Sequence, residues 1–365
     1  MKLTQRDLFR ATVDHKKEDA ILFYADFTED LEKRVRTHYG IPEKQSYREF
    51  FDMFSPCDIM PKRKCELPKY DYTGYYQDIE ITPDAHIAED GILHIPGGMY
   101  HFTKLVSPLR NASTLDDLEK FHWDFFDPES FGTEHMEAEV QSAHKKGLVA
   151  AAWAGELYER AWQIRGYEEM LMDMVSDPDM ADFIFDKLFK RNMFWAVESA
   201  KAGVDYIRCG DDVANQNAMM FSLDTWRRFQ KSRWSEIYAE VKRINPEIKI
   251  WYHSDGNISE ILDELVEIGV DIINPIQPEC MNPFEVKKRY GDRITIDGAI
   301  GTQTVMPFGT PDDVRKTVKE AAALLGEGGG YILAPSHVLE PEVPIANIEA
   351  FIETAQECNC CKKKR

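Results

Sequence analysis

A (β/α)8 barrel with a hairpin-like flap inserted in its N-terminal half is the fold this sequence predicts. Two observations point to parallel βα units. Short β-branched or apolar runs alternate with stretches of helical period through the second half of the chain, and no antiparallel block breaks that alternation. A third favours a closed barrel over a doubly wound sheet, since no glycine-rich phosphate turn follows the first strand.

Seven strands are visible, at 20–24, 148–153, 204–209, 248–253, 271–274, 294–297 and 331–334, and the eighth is expected in the less regular first half. Between them the spacing predicts helices at 28–39, 179–202, 223–244, 258–268, 311–325 and 345–355. Ser222 caps the third of these, and Thr310 followed by Pro311, Asp312 and Asp313 opens the fifth. Residues 55–135 break the rhythm, being rich in Pro, Tyr, Phe and Asp, with alternating stretches at 78–86 and 91–102. This segment is expected to be an inserted flap on the loop-bearing face, either a stabilising element or an aromatic lid over a pocket. The expected organisation is one domain over 1–357 and a disordered basic tail over 358–365. Gly326 to Gly330 precedes a strand instead of opening a helix, so it suits a helix end better than a phosphate loop.

Composition narrows the partners. The 365 residues are 43% apolar and 30% charged, and 64 acidic against 44 basic residues give a net charge of −20. That balance repels phosphate backbones and anionic lipid, which argues against nucleic acid and membrane surfaces. The polar, charged opening residues carry no signal-peptide core, and no apolar run is long enough for a membrane span. Four cysteines are scattered and Cys358, Cys360 and Cys361 crowd the tail, a pattern unlike a disulfide framework. A cytoplasmic protein is expected.

Barrel chemistry sits on the loops after the strands' C-terminal ends. Those positions hold Asp26; Glu156, Glu159 and Arg160; Asp211, Asp212, Asn215 and Gln216; His253, Ser254 and Asp255; Gln277, Glu279 and Cys280; Asp297; and Ser336 and His337. Singly, each has a structural explanation, such as a helix cap for Asp211 or Asp212, or a turn for Asp255-Gly256. Together they indicate a convergent polar site. Asp211, Asp212 and His253 are the candidate catalytic residues. Asp26, Glu156, Asn215, Gln216, Gln277 and Asp297 are candidates for substrate binding. His253 and His337, with a carboxylate from Asp255, Glu156 or Glu159, would make a three-ligand zinc site with an open position; otherwise both imidazoles bind substrate.

Several segments resemble the uroporphyrinogen decarboxylase-like superfamily, including its cobamide-dependent methyltransferase branch. They are Thr4-Gln-Arg-Asp7 through Asp19, Gly203-Val-Asp-Tyr-Ile207 into Gly210-Asp-Asp212, and Phe221 to Trp226. His253-Ser-Asp-Gly256, Asp297-Gly-Ala-Ile-Gly301 and Gly330 to Pro344 complete the set. The resemblance runs through nearly the whole chain in order, and implies the barrel with its pocket at the strand C-termini. Decarboxylases carry an arginine-rich segment after the first strand, whereas Tyr24 to Asp30 here is acidic and has no arginine. The thiol-methylating branch holds zinc with His-x-Cys and a distant Cys; this chain keeps His253 but has Asp255 and Ser336-His337 at the cysteine places, a harder donor set. Glu156 to Arg165 is similar to members that feed a corrinoid protein from methyl ether or methylamine donors.

The resemblance therefore implies an enzyme moving a methyl group between a small donor, such as a methyl ether, and a corrinoid (cobalamin) carried on a partner protein, assisted by zinc. Alternatives are a metal-free carboxy-lyase and a non-catalytic corrinoid- or tetrapyrrole-binding barrel. A homodimer is compatible with this architecture.

Overall fold

The computed structural model describes residues 3–16, 20–97 and 103–360. Residues 17–19 of the N-terminal resemblance, 98–102 of the second flap stretch and 361–365 of the expected tail lie outside them. Eight strands form one parallel sheet: β1 (Leu22–Phe23), β2 (Cys57–Asp58), β3 (Ala150–Gly155), β4 (Tyr206–Gly210), β5 (Lys249–His253), β6 (Ile272–Asn274), β7 (Thr295–Ile300) and β8 (Tyr331–Pro335). Each from β2 to β8 pairs with the next, and β8 pairs with β1. The Phe54 N–H donates to the Phe23 carbonyl at 2.8 Å, which brings the β2 edge to β1 and closes the (β/α)8 barrel.

The eighth strand is β2, so the flap begins after it and not at residue 55. Within the flap, His86–Ile87, Leu93–Pro96 and Thr103–Val106 form an antiparallel sheet, and Lys62–Arg63 pairs with Phe131–Gly132. The alternating stretch 78–86 folds mostly into turns, because its side chains lie on the surface and no buried face rewards a strand. The flap is fastened to the helix Tyr158–Arg165: Leu109 N–H donates to the Ile164 carbonyl at 3.0 Å, and Arg160 reaches the Asp90 carboxylate at 3.1 Å. At the other end of the barrel, buried Asp205 accepts from Arg6 (2.8 Å), the Ala150 N–H (2.9 Å) and pairs with His144 (3.0 Å), seating the helix Gln5–Val13 against the barrel floor.

The helix expected at 223–244 is present, with a π-helical turn at Arg227–Lys231. Trp226, Trp234 and Tyr238 on it are wholly buried against the barrel, each removing apolar area worth roughly 2–3 kcal/mol from water. The last helix, Ile345–Cys360, runs past Cys358, where the sequence suggested fraying. Among the described residues no helix is long and apolar enough to cross a membrane.

Candidate metal centre

The barrel interior follows the period of two that a strand imposes. Its lower layer is apolar, with Leu22, Ala151, Tyr206, Ile272 and Ile332 packed together. Above them lies a cavity of about 250 Å³ lined by Tyr24, Arg48, Arg208, Trp251, His253, Asn274 and Asp297, with Ser336 and His337 at the rim. Among the described residues none of 60–135 lines it, and the contacts of the flap to the helix Tyr158–Arg165 brace the barrel wall.

Asp212, His253 and Asp255 each offer one ligand atom, and these atoms lie within 4.8 Å of one another. They come together because β4 and β5 are hydrogen-bonded neighbours in register, His253 opposite Gly210. A Cβ on Gly210 would collide with the His253 backbone, so the close approach of the two strand ends requires glycine. The Asp255 N–H donates to Asp212 Oδ1 at 2.8 Å, and His253 Nε2 stands 3.5 Å from the same oxygen. Asp255 Oδ1 is buried with no hydrogen-bond partner. An unpartnered carboxylate oxygen beside a second carboxylate and an imidazole fits a divalent cation, which would satisfy it. One nitrogen and two oxygens are a harder set than thiolates and remain within the range zinc accepts.

Electrostatics at the group follow from crowding of acids. Burial lowers the His253 pKa, but Asp212, Asp255, the Asn274 hydrogen bond and Glu159 outweigh it, and the net shift is upward. Burial raises Asp255, with Asp212 adding to the rise and His253 and His337 opposing it. Glu159 is pushed up to about 7 by burial and by the charges of Asp212 and Glu156.

The structure redistributes the other expected site residues. Asp211 is wholly buried and faces away from the group: it accepts from the backbone N–H of Leu157 (2.8 Å) and Glu159 (2.9 Å) and from the Trp234 indole (3.2 Å). It fastens the start of the helix after β3, with its carboxylate taken up by these three donors; burial pushes its carboxyl up, against them. Asn215 is exposed and turned to its own loop, its Oδ1 accepting from Asn217 N (2.8 Å) and Ala218 N (3.1 Å). Gln277 is buried and accepts from Gly256 N at 2.7 Å. Gln216 bonds Gln303 at the surface, and Glu156 lies 3.9 Å from Arg160. Asp26 does reach the cavity, paired with Arg48 and accepting from Tyr47 at 2.9 Å. Asp297 forms its floor, accepting from Tyr24 (3.0 Å) and Trp251 Nε1 (2.8 Å), and burial pushes its carboxyl up to about 6 against those donors. His337, 49% exposed in its side chain, stands at the cavity rim 3.7 Å from Asp255; neither it nor Glu159 joins the three-ligand group, whose third member is Asp212.

Sequence reasoning did not single out Tyr24, Arg48, Arg208, Trp251 or Asn274. Four of them were within reach: counting by two from His253 along β5 reaches Trp251, and the same inward face carries Arg208 on β4 and Asn274 at the end of β6, with Tyr24 just after β1. Arg48 had no such signal. Arg208 pairs with Asp58 of β2, so the two cavity arginines each carry a carboxylate partner.

The barrel with this strand-end group defines a member of the uroporphyrinogen decarboxylase (URO-D) family: that family's model matches residues 158–358, and the chain belongs to it. Among relatives, a methylcobamide:CoM methyltransferase of Methanosarcina barkeri is 27% identical over 183 residues, 50% of each chain. A uroporphyrinogen decarboxylase of Coxiella burnetii is 21% identical over 342 residues, 89% of each. The match to the methyltransferase thus spans about half of its length. A solved structure of a methyltransferase from Methanosarcina mazei shares the fold over 98% of this chain and 99% of its own, with a TM-score of 0.64 at 17% identity.

Proposed function

We propose that this barrel is a methyltransferase exchanging a methyl group between a small donor, such as a methyl ether, and a corrinoid carried on a partner protein, with a zinc ion at Asp212, His253 and Asp255. The observation that carries the proposal is the three-ligand group with its unpartnered buried Asp255 oxygen, at the strand ends of a URO-D family barrel. A methyltransferase among the relatives supports the reaction class. A metal ion held there supplies Lewis-acid polarisation of the donor's leaving oxygen.

The chain's own residues do the rest. The Trp251 and Tyr24 rings line the cavity and seat an apolar or planar body beside His253. Glu159, near neutrality in its titration, holds a proton part of the time beside the group and can hand it to the departing oxygen. The three ligands include no cysteine, so the donor set favours an oxygen leaving group over a thiol. The lyase alternative is weaker because Asp211 is turned into the protein and a polycarboxylated tetrapyrrole exceeds a cavity of about 250 Å³.

The test is metal content joined to turnover. Chelator-washed protein reloaded with zinc should bind about one equivalent, and methyl transfer from an aryl or alkyl methyl ether to cob(I)alamin should be lost in His253→Ala. Equal turnover by zinc-free protein or by the variant would sink the proposal. Ligand-induced stabilisation by a corrinoid without any turnover would favour the non-catalytic barrel.

A further inference from the structure

The imidazole of His253 can serve as a ligand through Nε2 only if its proton sits on Nδ1, and the structure says what decides that. His253 Nδ1 lies 2.8 Å from Asn274 Oδ1 at the end of the neighbouring strand β6. The amide of Asn274 has only one way round. Its Nδ2 is 3.4 Å from the Asp297 backbone carbonyl, which can only accept. The same Nδ2 is 3.4 Å from the Tyr24 hydroxyl, whose own proton is directed to Asp297 Oδ1 at 3.0 Å. Both contacts require the NH2 to face β7 and β1, which leaves the amide oxygen for His253. An amide oxygen accepts and never donates, so Nδ1 of His253 must bear the proton. The Trp251 ring, stacked at 5.8 Å and 15°, holds the imidazole plane in that setting.

We infer that Asn274 is a positioning residue that fixes the His253 proton on Nδ1 and so directs the Nε2 lone pair toward Asp212 and Asp255. This rests on the proposed metal-assisted reading for its purpose, while the proton position stands independently of it. Tyr24 and the backbone of Asp297 are the anchors that keep the amide from turning over. Partners of this kind, behind a ligating histidine, set the tautomer and raise ligand basicity.

The experiment uses full-length, metal-free protein with 15N-labelled histidine, read at a pH above the imidazole's own titration, which the same spectra follow. In the wild type the His253 nitrogens should report a proton on Nδ1. Asn274→Leu removes the acceptor and should move the proton to Nε2, with zinc affinity, read by competition against a chelator dye, falling about 10- to 100-fold. Asn274→Asp restores an acceptor and should return both the Nδ1 proton and the zinc affinity, which a merely structural role for the amide would not do. An Nε2 proton in the wild type, an unchanged tautomer in Asn274→Leu, or an Asn274→Asp protein as weak as Asn274→Leu would overturn the inference. If the tautomers behave as expected but the wild type takes up no zinc, the positioning role is supported and the metal reading falls alone.

Discussion

The two halves of this barrel are built differently and do different things. From β4 to β8 the strands are three to six residues long and separated by regular helices. All three clustered ligands come from that half, His253 at the end of β5 and Asp212 and Asp255 on the loops after β4 and β5. The first half has two strands of two residues each, β1 and β2, and leans on the flap and on side-chain clamps such as Asp26–Arg48 and Asp58–Arg208. The lesson is a division of labour: regular hydrogen-bonded register places the ligand atoms, while the irregular half closes the ring and shapes the cavity.

That contrast can be broken experimentally. The largest effect should come from the ligand half: His253→Ala or Asp255→Ala should weaken zinc binding by about 100-fold or more, measured by chelator competition; retention of tight binding would move the site elsewhere. Asp211→Ala tests the next residue along the same strand end. It strands two backbone N–H groups and an indole N–H in the interior, so unfolding free energy should drop by about 3 kcal/mol in denaturant titration. Zinc affinity should hold while the fold persists, and loss of zinc with no loss of stability would make Asp211 part of the site after all.

Asp297 joins the halves, since Tyr24 beside β1 and Trp251 of β5 both donate to it. Unfolded, this carboxyl titrates near its ordinary 3.8; folded, at about 6. Between those values the folded chain holds the extra proton, so Asp297 makes stability fall as pH rises across that window, by at most about 3 kcal/mol. In Asp297→Asn that share of the decline should vanish from Tm measured against pH, and an unchanged slope would place the titration on another group. The smallest effect is expected for His337→Ala: a half-exposed imidazole at the cavity rim should change zinc affinity by less than about threefold. A larger loss would restore it as a ligand.

Much of this was legible in the sequence, for a physical reason. Seven strands announced themselves because a fully buried parallel strand is a run of apolar, β-branched residues. β2 did not, since Cys57 and Asp58 pair with β3 for only two residues and neither is buried. His253 and Asp255 were readable from their His-x-Asp spacing at a strand end. The separate fates of Asp211 and Asp212 were not, because adjacent residues point opposite ways and which one turns inward is decided by Trp234 and the loop after β3, both distant in sequence. His337 was readable as a strand-end imidazole; that it stands at the cavity rim, 3.7 Å from Asp255 and outside the three-ligand group, depends on loop geometry the sequence does not carry.

The stitching between the β4 and β5 loops bears on which ions the site would admit. Asp255 N–H is bonded to Asp212 Oδ1, and Asn257 N–H to the Asn215 carbonyl at 2.8 Å. Gly256, at φ +85°, leaves no room for a Cβ against the backbone of Ala214 and Asn215. The two carboxylates are thus carried on backbones clamped to each other and cannot spread apart freely. Calcium asks for six to eight oxygens at about 2.3–2.6 Å in a yielding shell, whereas a small ion drawing few ligands at about 2.0–2.2 Å is content with a rigid one. Ionic radius, enforced by backbone spacing, would select the occupant before charge or softness had any say.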